Sequence, residues 1–235
     1  CSQKGVKEYT CGICGDSYTE LLPVVGHDYQ RVTVKATTSK NGSIQKKCKF
    51  CGDVSEAVPI AYPKTVALSK SSVTYTGKAQ KVSVKVKDSA GRAVASANYS
   101  VSYSSNKNVG EATVTVKFKG NYTGSVKKTF RILPKGTSLS KVSAKSKGFS
   151  AKWKKQASQT NGYQLQYSTN SKFKGKDAKT VSIKKNRTTS KSVSKLKAKK
   201  KYYVRIRTYK AVKIKGKNVT LCSAWSKAKA IKTKK

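Results

Sequence analysis

Acid is what this sequence has least of: nine Asp and Glu stand against 52 Lys and Arg, giving a formal net charge of +43. Histidine is nearly absent as well, with His27 alone. Acid–base chemistry needs a proton donor and acceptor held close together. So few and so scattered groups offer no such pair and no nucleophile with a base beside it, and the expectation is a protein without catalytic activity. Long apolar runs are also missing. None approaches membrane-spanning length, so no transmembrane segment is expected. No signal peptide opens the chain, but this carries little weight because the first residues lie inside a repeat. A Cys-Ser start could mark a lipidated lipoprotein, yet Cys1 already has a place in that repeat. Helical periodicity is absent throughout, and 36% apolar residues in 235 suit several modest cores better than one large one.

What is abundant is lysine. A chain so basic repels itself at low salt and adheres to polyanions, whether nucleic acid, anionic lipid or cell-wall phosphate polymer. Arginine reads bases and clamps phosphates with two parallel hydrogen bonds, whereas lysine acts as a hydrated point charge. The excess of Lys over Arg therefore favours unspecific electrostatic adhesion over sequence readout.

The first sixty residues repeat themselves at a shift of about 37. Gly5 falls on Gly42, Cys11 on Cys48, Cys14 on Cys51, Gly15 on Gly52 and Asp16 on Asp53. Each repeat carries a Cys-x-x-Cys-Gly knuckle, a turn in which glycine lets backbone amides face the sulfurs of a bound metal. The first repeat adds Cys1 and His27, and the second has Thr38 and Lys64 in their places. Two zinc arrangements follow: Cys1, Cys11, Cys14 and His27 within the first repeat, or Cys11, Cys14, Cys48 and Cys51 shared as a zinc ribbon. Disulfides are the alternative in an oxidising compartment, and a surface position in the Gly-His-Asp-Tyr turn is the alternative for His27. In each case the role is structural, and beyond structural zinc no cofactor is expected.

Alternating strands fill the rest. Val82, Val84 and Val86 alternate with polar residues, as do Tyr99, Val101 and Tyr103, then Val114, Val116 and Phe118, then Phe130 and Ile132, with turns at Asp88 to Gly91, Asn106 to Gly110 and Gly120 to Gly124. After Pro134-Lys135-Gly136, a short linker, Phe149, Ala151 and Trp153 share a face, and so do Tyr163, Leu165 and Tyr167. In Leu196 to Tyr209 the period of two sends Tyr202, Val204, Ile206 and Thr208 inward and Tyr203, Arg205, Arg207 and Tyr209 outward. Leu196 six places before Tyr202 is the spacing of a tyrosine corner, where the ring enters the core and its hydroxyl bonds the chain behind it. Trp225-Ser226 is expected to open a closing strand that ends near Thr233. Cys222, with no histidine in its half of the chain, reads as an inert buried thiol. The fold class expected is all-β, with cysteine-knuckle repeats over 1–62 followed by two antiparallel sandwiches over 63–134 and 136–235.

Three resemblances accompany these motifs. The phrases Tyr-Thr-Cys-x-x-Cys-Gly-Asp-Ser-Tyr, Gly-His-Asp-Tyr and Ala-Thr-Thr-Ser-Lys-Asn-Gly resemble the cysteine repeats of surface proteins from gut Firmicutes. Tyr75-Thr76-Gly77-Lys78, Asn108-Val109-Gly110 and Gly120-Asn121-Tyr122 resemble a bacterial immunoglobulin-like stalk domain. Trp153, the Gly-Tyr-x-Leu-x-Tyr strand, the Leu196 to Tyr202 spacing and Trp225-Ser226 resemble a fibronectin type III domain. Integrin binding is not implied, because the Arg-Gly-Asp tripeptide is absent. The resemblances imply a secreted or cell-surface stalk or anchor of a Gram-positive bacterium. Its partners would be anionic cell-wall polymers, glycans or mucin, alongside other modules of the same protein. An accessory region of a secreted hydrolase with its catalytic domain upstream is a second reading. A zinc-ribbon nucleic-acid binder is a third, which the lysine bias and the lack of a recognition helix disfavour.

Overall fold

The computed structural model describes residues 1–235. It is built from strands, and its one helical element is a 3-10 turn at Ser96–Asn98. In chain order the strands are β1 (Gly5–Thr10), β2 (Ser17–Leu22), β3 (Tyr29–Val34), β4 (Gly42–Cys48), β5 (Val58–Ile60), β6 (Thr65–Leu68), β7 (Ser72–Thr74), β8 (Val84–Lys87), β9 (Tyr99–Ser104) and β10 (Gly110–Phe118). They continue with β11 (Ser125–Leu133), β12 (Leu139–Lys145), β13 (Gly148–Trp153), β14 (Gly162–Ser168), β15 (Lys179–Ile183), β16 (Ser190–Val193), β17 (Lys201–Ile214), β18 (Lys217–Cys222) and β19 (Lys229–Lys232). Two compact units form, one from Cys1–Ala67, Lys85–Val101 and Val116–Val126, the other from Leu68–Val84, Ser102–Thr115 and Lys127–Lys235.

The first unit begins with an isolated β1–β2 hairpin, followed by the sheet β3-β4-β5. The sheet is tied in just beyond β3 at Ala36, which is fully buried, gives its N–H to the Asn121 carbonyl and accepts from Thr123 N–H. The aromatic residues Tyr99, Phe118 and Tyr122 cluster nearby, with ring centroids 6.4 Å apart for each pair that includes Phe118. The Asp88 to Gly91 turn closes on the Asp88 carboxylate, whose Oδ1 accepts from Ala90 and Arg92 N–H at 3.0 and 2.9 Å. Gly91 sits there at φ +80, a conformation that a side chain would strain.

The middle stretch forms the sheet β7-β11-β10-β9 and the pair β6-β8. Not all of it is antiparallel, as alternation had suggested: β7 runs parallel to β11, with Ile132 opposite Val73. Parallel neighbours cannot be joined by a tight turn. Here the intervening chain makes β8, β9 and β10 before β11 returns to lie beside β7.

The second unit ends in two facing sheets, β12-β13-β16 and β15-β14-β17-β18, with β19 also pairing β17. Between them lie Phe149, Ala151, Trp153, Tyr163, Leu165, Val204 and Ile206, all buried. The alternation in β17 is realised: Tyr202, Val204, Ile206 and Thr208 are buried and their neighbours half-exposed. The strand runs later than its sequence cue, from Lys201 to Ile214, because Lys215-Gly216 supplies a two-residue turn with both φ positive. Such a turn matches the strand twist and makes β17 and β18 one hairpin. The tyrosine corner is present, Tyr202 Oη accepting from Lys197 N–H at 3.3 Å. Trp225 lies before the closing strand rather than opening it, since β19 begins at Lys229. The linker is tied down by the buried Thr208, whose hydroxyl donates to the Lys135 carbonyl at 2.8 Å.

Candidate metal centre

The two knuckles fold alike. In each, the first cysteine gives its N–H to the aspartate five residues on, Cys11 to the Asp16 carbonyl and Cys48 to the Asp53 carbonyl, both at 2.7 Å. In each, the glycine takes positive φ, +80 at Gly15 and +75 at Gly52, and returns its N–H to that cysteine's carbonyl. What differs is the company they keep.

Around the second knuckle four donors converge. Cys1, His27, Cys48 and Cys51 place one ligand atom each within 4.8 Å of all the others. Cys1 Sγ lies 3.5 Å from Cys48 Sγ, and Cys51 Sγ lies 3.3 Å from His27 Nδ1. A tetrahedral ion with metal–sulfur bonds of about 2.3 Å requires sulfurs about 3.8 Å apart, so this arrangement is of the size a zinc ion fills. All six cysteines are free thiols. Cys48 is buried, and its thiol is lowered to about 6, first by the Cys51 backbone N–H, against burial and with help from Phe50 N–H and His27. A thiol so placed is a thiolate at neutral pH, the form that binds metal.

Strand β3 positions the histidine. Tyr29 lies opposite Cys48 in register, His27 stacks on Tyr29 at 5.1 Å, and Tyr29 Oη donates to Asp53 Oδ2 at 2.5 Å. That hydrogen bond to the carboxylate pushes the Tyr29 phenol up to about 12, so it remains a donor. Lys49 closes the turn on Asp28, its N–H to the Asp28 carbonyl and its Nζ to the carboxylate at 2.8 Å.

Neither arrangement expected from spacing is what forms. Cys11 and Cys14 stand apart at the tip of the β1–β2 hairpin, exposed, with the Cys14 thiol directed at Asp16 Oδ2 at 3.5 Å. The Cys14 and Ile13 backbone N–H groups lower the Cys11 thiol to about 7. The first repeat instead lends its two extra donors to the second, which lacks both. That complementarity was present in the sequence: Cys1 and His27 are surplus where Thr38 and Lys64 are deficient.

Elsewhere the chemistry is quiet. Burial raises the Cys222 thiol against the effect of Arg207, and its Sγ lies 3.7 Å from Gln164 Oε1. The outer face of β17 carries a ladder that alternation alone did not reveal. Trp225 covers Arg205 and Arg207 at 4.6 and 4.2 Å, Phe173 covers Arg205 at 4.0 Å, and the guanidinium Nε atoms donate to Gln166 and Gln164 at 2.7 Å. Burial, then Arg207, lowers the Arg205 pKa. Of the lysines beyond Pro134, all but Lys210 are exposed.

Residues 133–219 match the family model of the fibronectin type III domain, and that stretch is such a domain. Among solved structures, the chain is similar to the FN1-FN3 domains of chicken CNTN1, at 12% identity and a TM-score of 0.37, covering all of this chain and 92% of that one. It is also similar to domains A168-A170 of titin, at 14% identity and a TM-score of 0.31, covering all of this chain and 90% of that one. No curated protein matches the chain.

Proposed function

We propose that this chain is a non-catalytic stalk or anchor of a Gram-positive cell surface, which holds anionic wall polymer or glycan through many weak lysine contacts. Its modules follow one another as cysteine repeats over 1–62, an immunoglobulin-like sandwich over 63–134 and a fibronectin type III sandwich over 136–235. The observation that carries the reading is the lysine coat. The chain carries a net charge of +43, its apolar residues beyond Pro134 are spent on the sandwich core, and all but one of the lysines there are exposed. Many screened point charges produce adhesion without a pocket. In the N-terminal region, Cys1, Cys48, Cys51 and His27 would hold a structural zinc ion. Three thiolates and an imidazole leave no open position on the metal, so the ion would staple the two repeats together rather than react.

The test is co-sedimentation with purified Gram-positive wall, with and without its teichoic acid, and with soluble polyphosphate as competitor. Binding that requires the polymer and yields to polyphosphate supports the reading. Equal binding to stripped wall contradicts it and directs attention to a specific pocket.

A further inference from the structure

The two repeats have the same knuckle and the same central strand, but only the second central strand has β3, from the first repeat, lying beside it. Strand β4 is paired on both edges, by β3 and β5. Its counterpart β1 is paired on one edge only, by β2. The empty edge is the one that corresponds to the position of β3, because Thr10 faces Ser17 as Lys47 faces Val54 on the occupied side.

Three further features of the hairpin fit a strand at that edge. Gly42 is needed because a Cβ there would strike the Val34 carbonyl oxygen and the Ala36 nitrogen, where β3 ends; Gly5 occupies the same place, and a Cβ there meets only the Leu22 side chain at 3.4 Å. Cys11, Cys14 and Asp16 stand open, whereas their counterparts Cys48, Cys51 and Asp53 are engaged by His27 and Tyr29. Val6 is 62% exposed and Ile13 99%. Charge agrees. Residues 5–22 hold Lys7 against Glu8, Asp16 and Glu20, a net −2 in a chain of +43, whereas residues 24–35 hold Asp28 against Arg31 and Lys35, a net +1.

We propose that the open edge of β1 docks a Gly-His-x-Tyr strand from another repeat unit of this kind, and that the docked histidine joins Cys11 and Cys14 in a second metal centre. In the register of β3 on β4, the incoming tyrosine lies opposite Cys11 with its hydroxyl toward Asp16, and the arginine two places on lies opposite Tyr9, next to Glu8. Such docking would join repeat units end to end, the histidine of each closing the thiolates of the next. The metal part of the proposal rests on the zinc reading of the Cys1 centre, while the strand pairing does not.

The test uses the whole chain, zinc and a synthetic peptide of residues 24–35, with native mass spectrometry as the readout. The chain alone should carry one zinc. With peptide it should carry one peptide and a second zinc; with C11S/C14S chain or H27A peptide the second zinc should vanish and peptide binding should weaken, while the first zinc stays. Zinc taken up only in the presence of peptide would fail the Cys1 centre and still support docking. The proposal is overturned if peptide fails to bind, if C11S/C14S binds it equally with a second zinc, or if zinc joins two chains through these thiols in preference to the peptide.

Discussion

Thr208 offers a clean perturbation, because it is a hydroxyl on the core face of the central strand that reaches the linker. Valine keeps its shape, so Thr208→Val removes the 2.8 Å hydrogen bond to the Lys135 carbonyl and little else; the Thr208 N–H keeps its own partner, Ser223 Oγ, at 3.1 Å. The hydroxyl is buried but Lys135 is exposed, so its carbonyl can be resolvated on the loss. The cost is therefore that of one ordinary hydrogen bond, about 1 kcal/mol. For a domain of this size that lowers Tm by about 4–8 °C. The linker should also open more often, and cleavage by trypsin at Lys135 should rise about fivefold if cleavage follows local opening. Thr208→Ser keeps the hydroxyl and should restore the slow cleavage, but not the Tm, because it deletes a buried methyl. Calorimetry and timed proteolysis of the three proteins read the result. An unchanged Tm together with an unchanged cleavage rate would refute the claim that this strand anchors the linker.

Removing Trp225 should uncover the arginine ladder: Trp225→Ala is expected to cost about 1–2 kcal/mol from two cation–π contacts, measured by urea denaturation, and conversion of Arg205 and Arg207 to Gln should reduce the further effect of that change. Acid should weaken the Asp88 turn. Burial raises the Asp88 pKa, but Arg92 N–H, the Arg92 guanidinium and Ala90 N–H outweigh it and hold the carboxylate below its ordinary range. A group depressed in the folded state contributes stability that is full above its unfolded pKa of about 3.9 and is lost as pH falls through the folded value. Asp88→Asn should therefore be less stable than wild type at pH 7, and the gap should close under acid. Chelation should loosen the N-terminal repeats while leaving residues 133–219 folded, so that amide exchange quickens in β3 and β4 and stays slow in β14 and β17.

Much of the fibronectin type III stretch was legible because one face of each strand is buried and the other wet, and a period of two records that directly. Tyr202, Val204, Ile206 and Thr208 carry it, and the Leu196 spacing adds the corner. The duplicated knuckles were equally plain from Cys-x-x-Cys-Gly. The partners across space were not. Cys1 meets Cys48 through the fold of two repeats rather than through any spacing, and only the deficiency at Thr38 and Lys64 hinted at it. The parallel pairing of β7 with β11 left no trace, since a strand buried on one face alternates identically whichever way its neighbour runs. Trp225 escaped for a related reason: its ring packs on the outer face of β17 from a loop, where alternation says nothing.

The central claim is that exposed lysines, acting together, hold this chain to an anionic polymer. The most direct measurement is the affinity of the intact chain for purified teichoic acid from low to high salt. The screening length is about 10 Å at 0.1 M and about 3 Å at 1 M, so a coat of separated charges should lose its hold steeply over that range. Binding that falls with every increment of salt is the result the account predicts, and binding that persists unchanged at 1 M would contradict it.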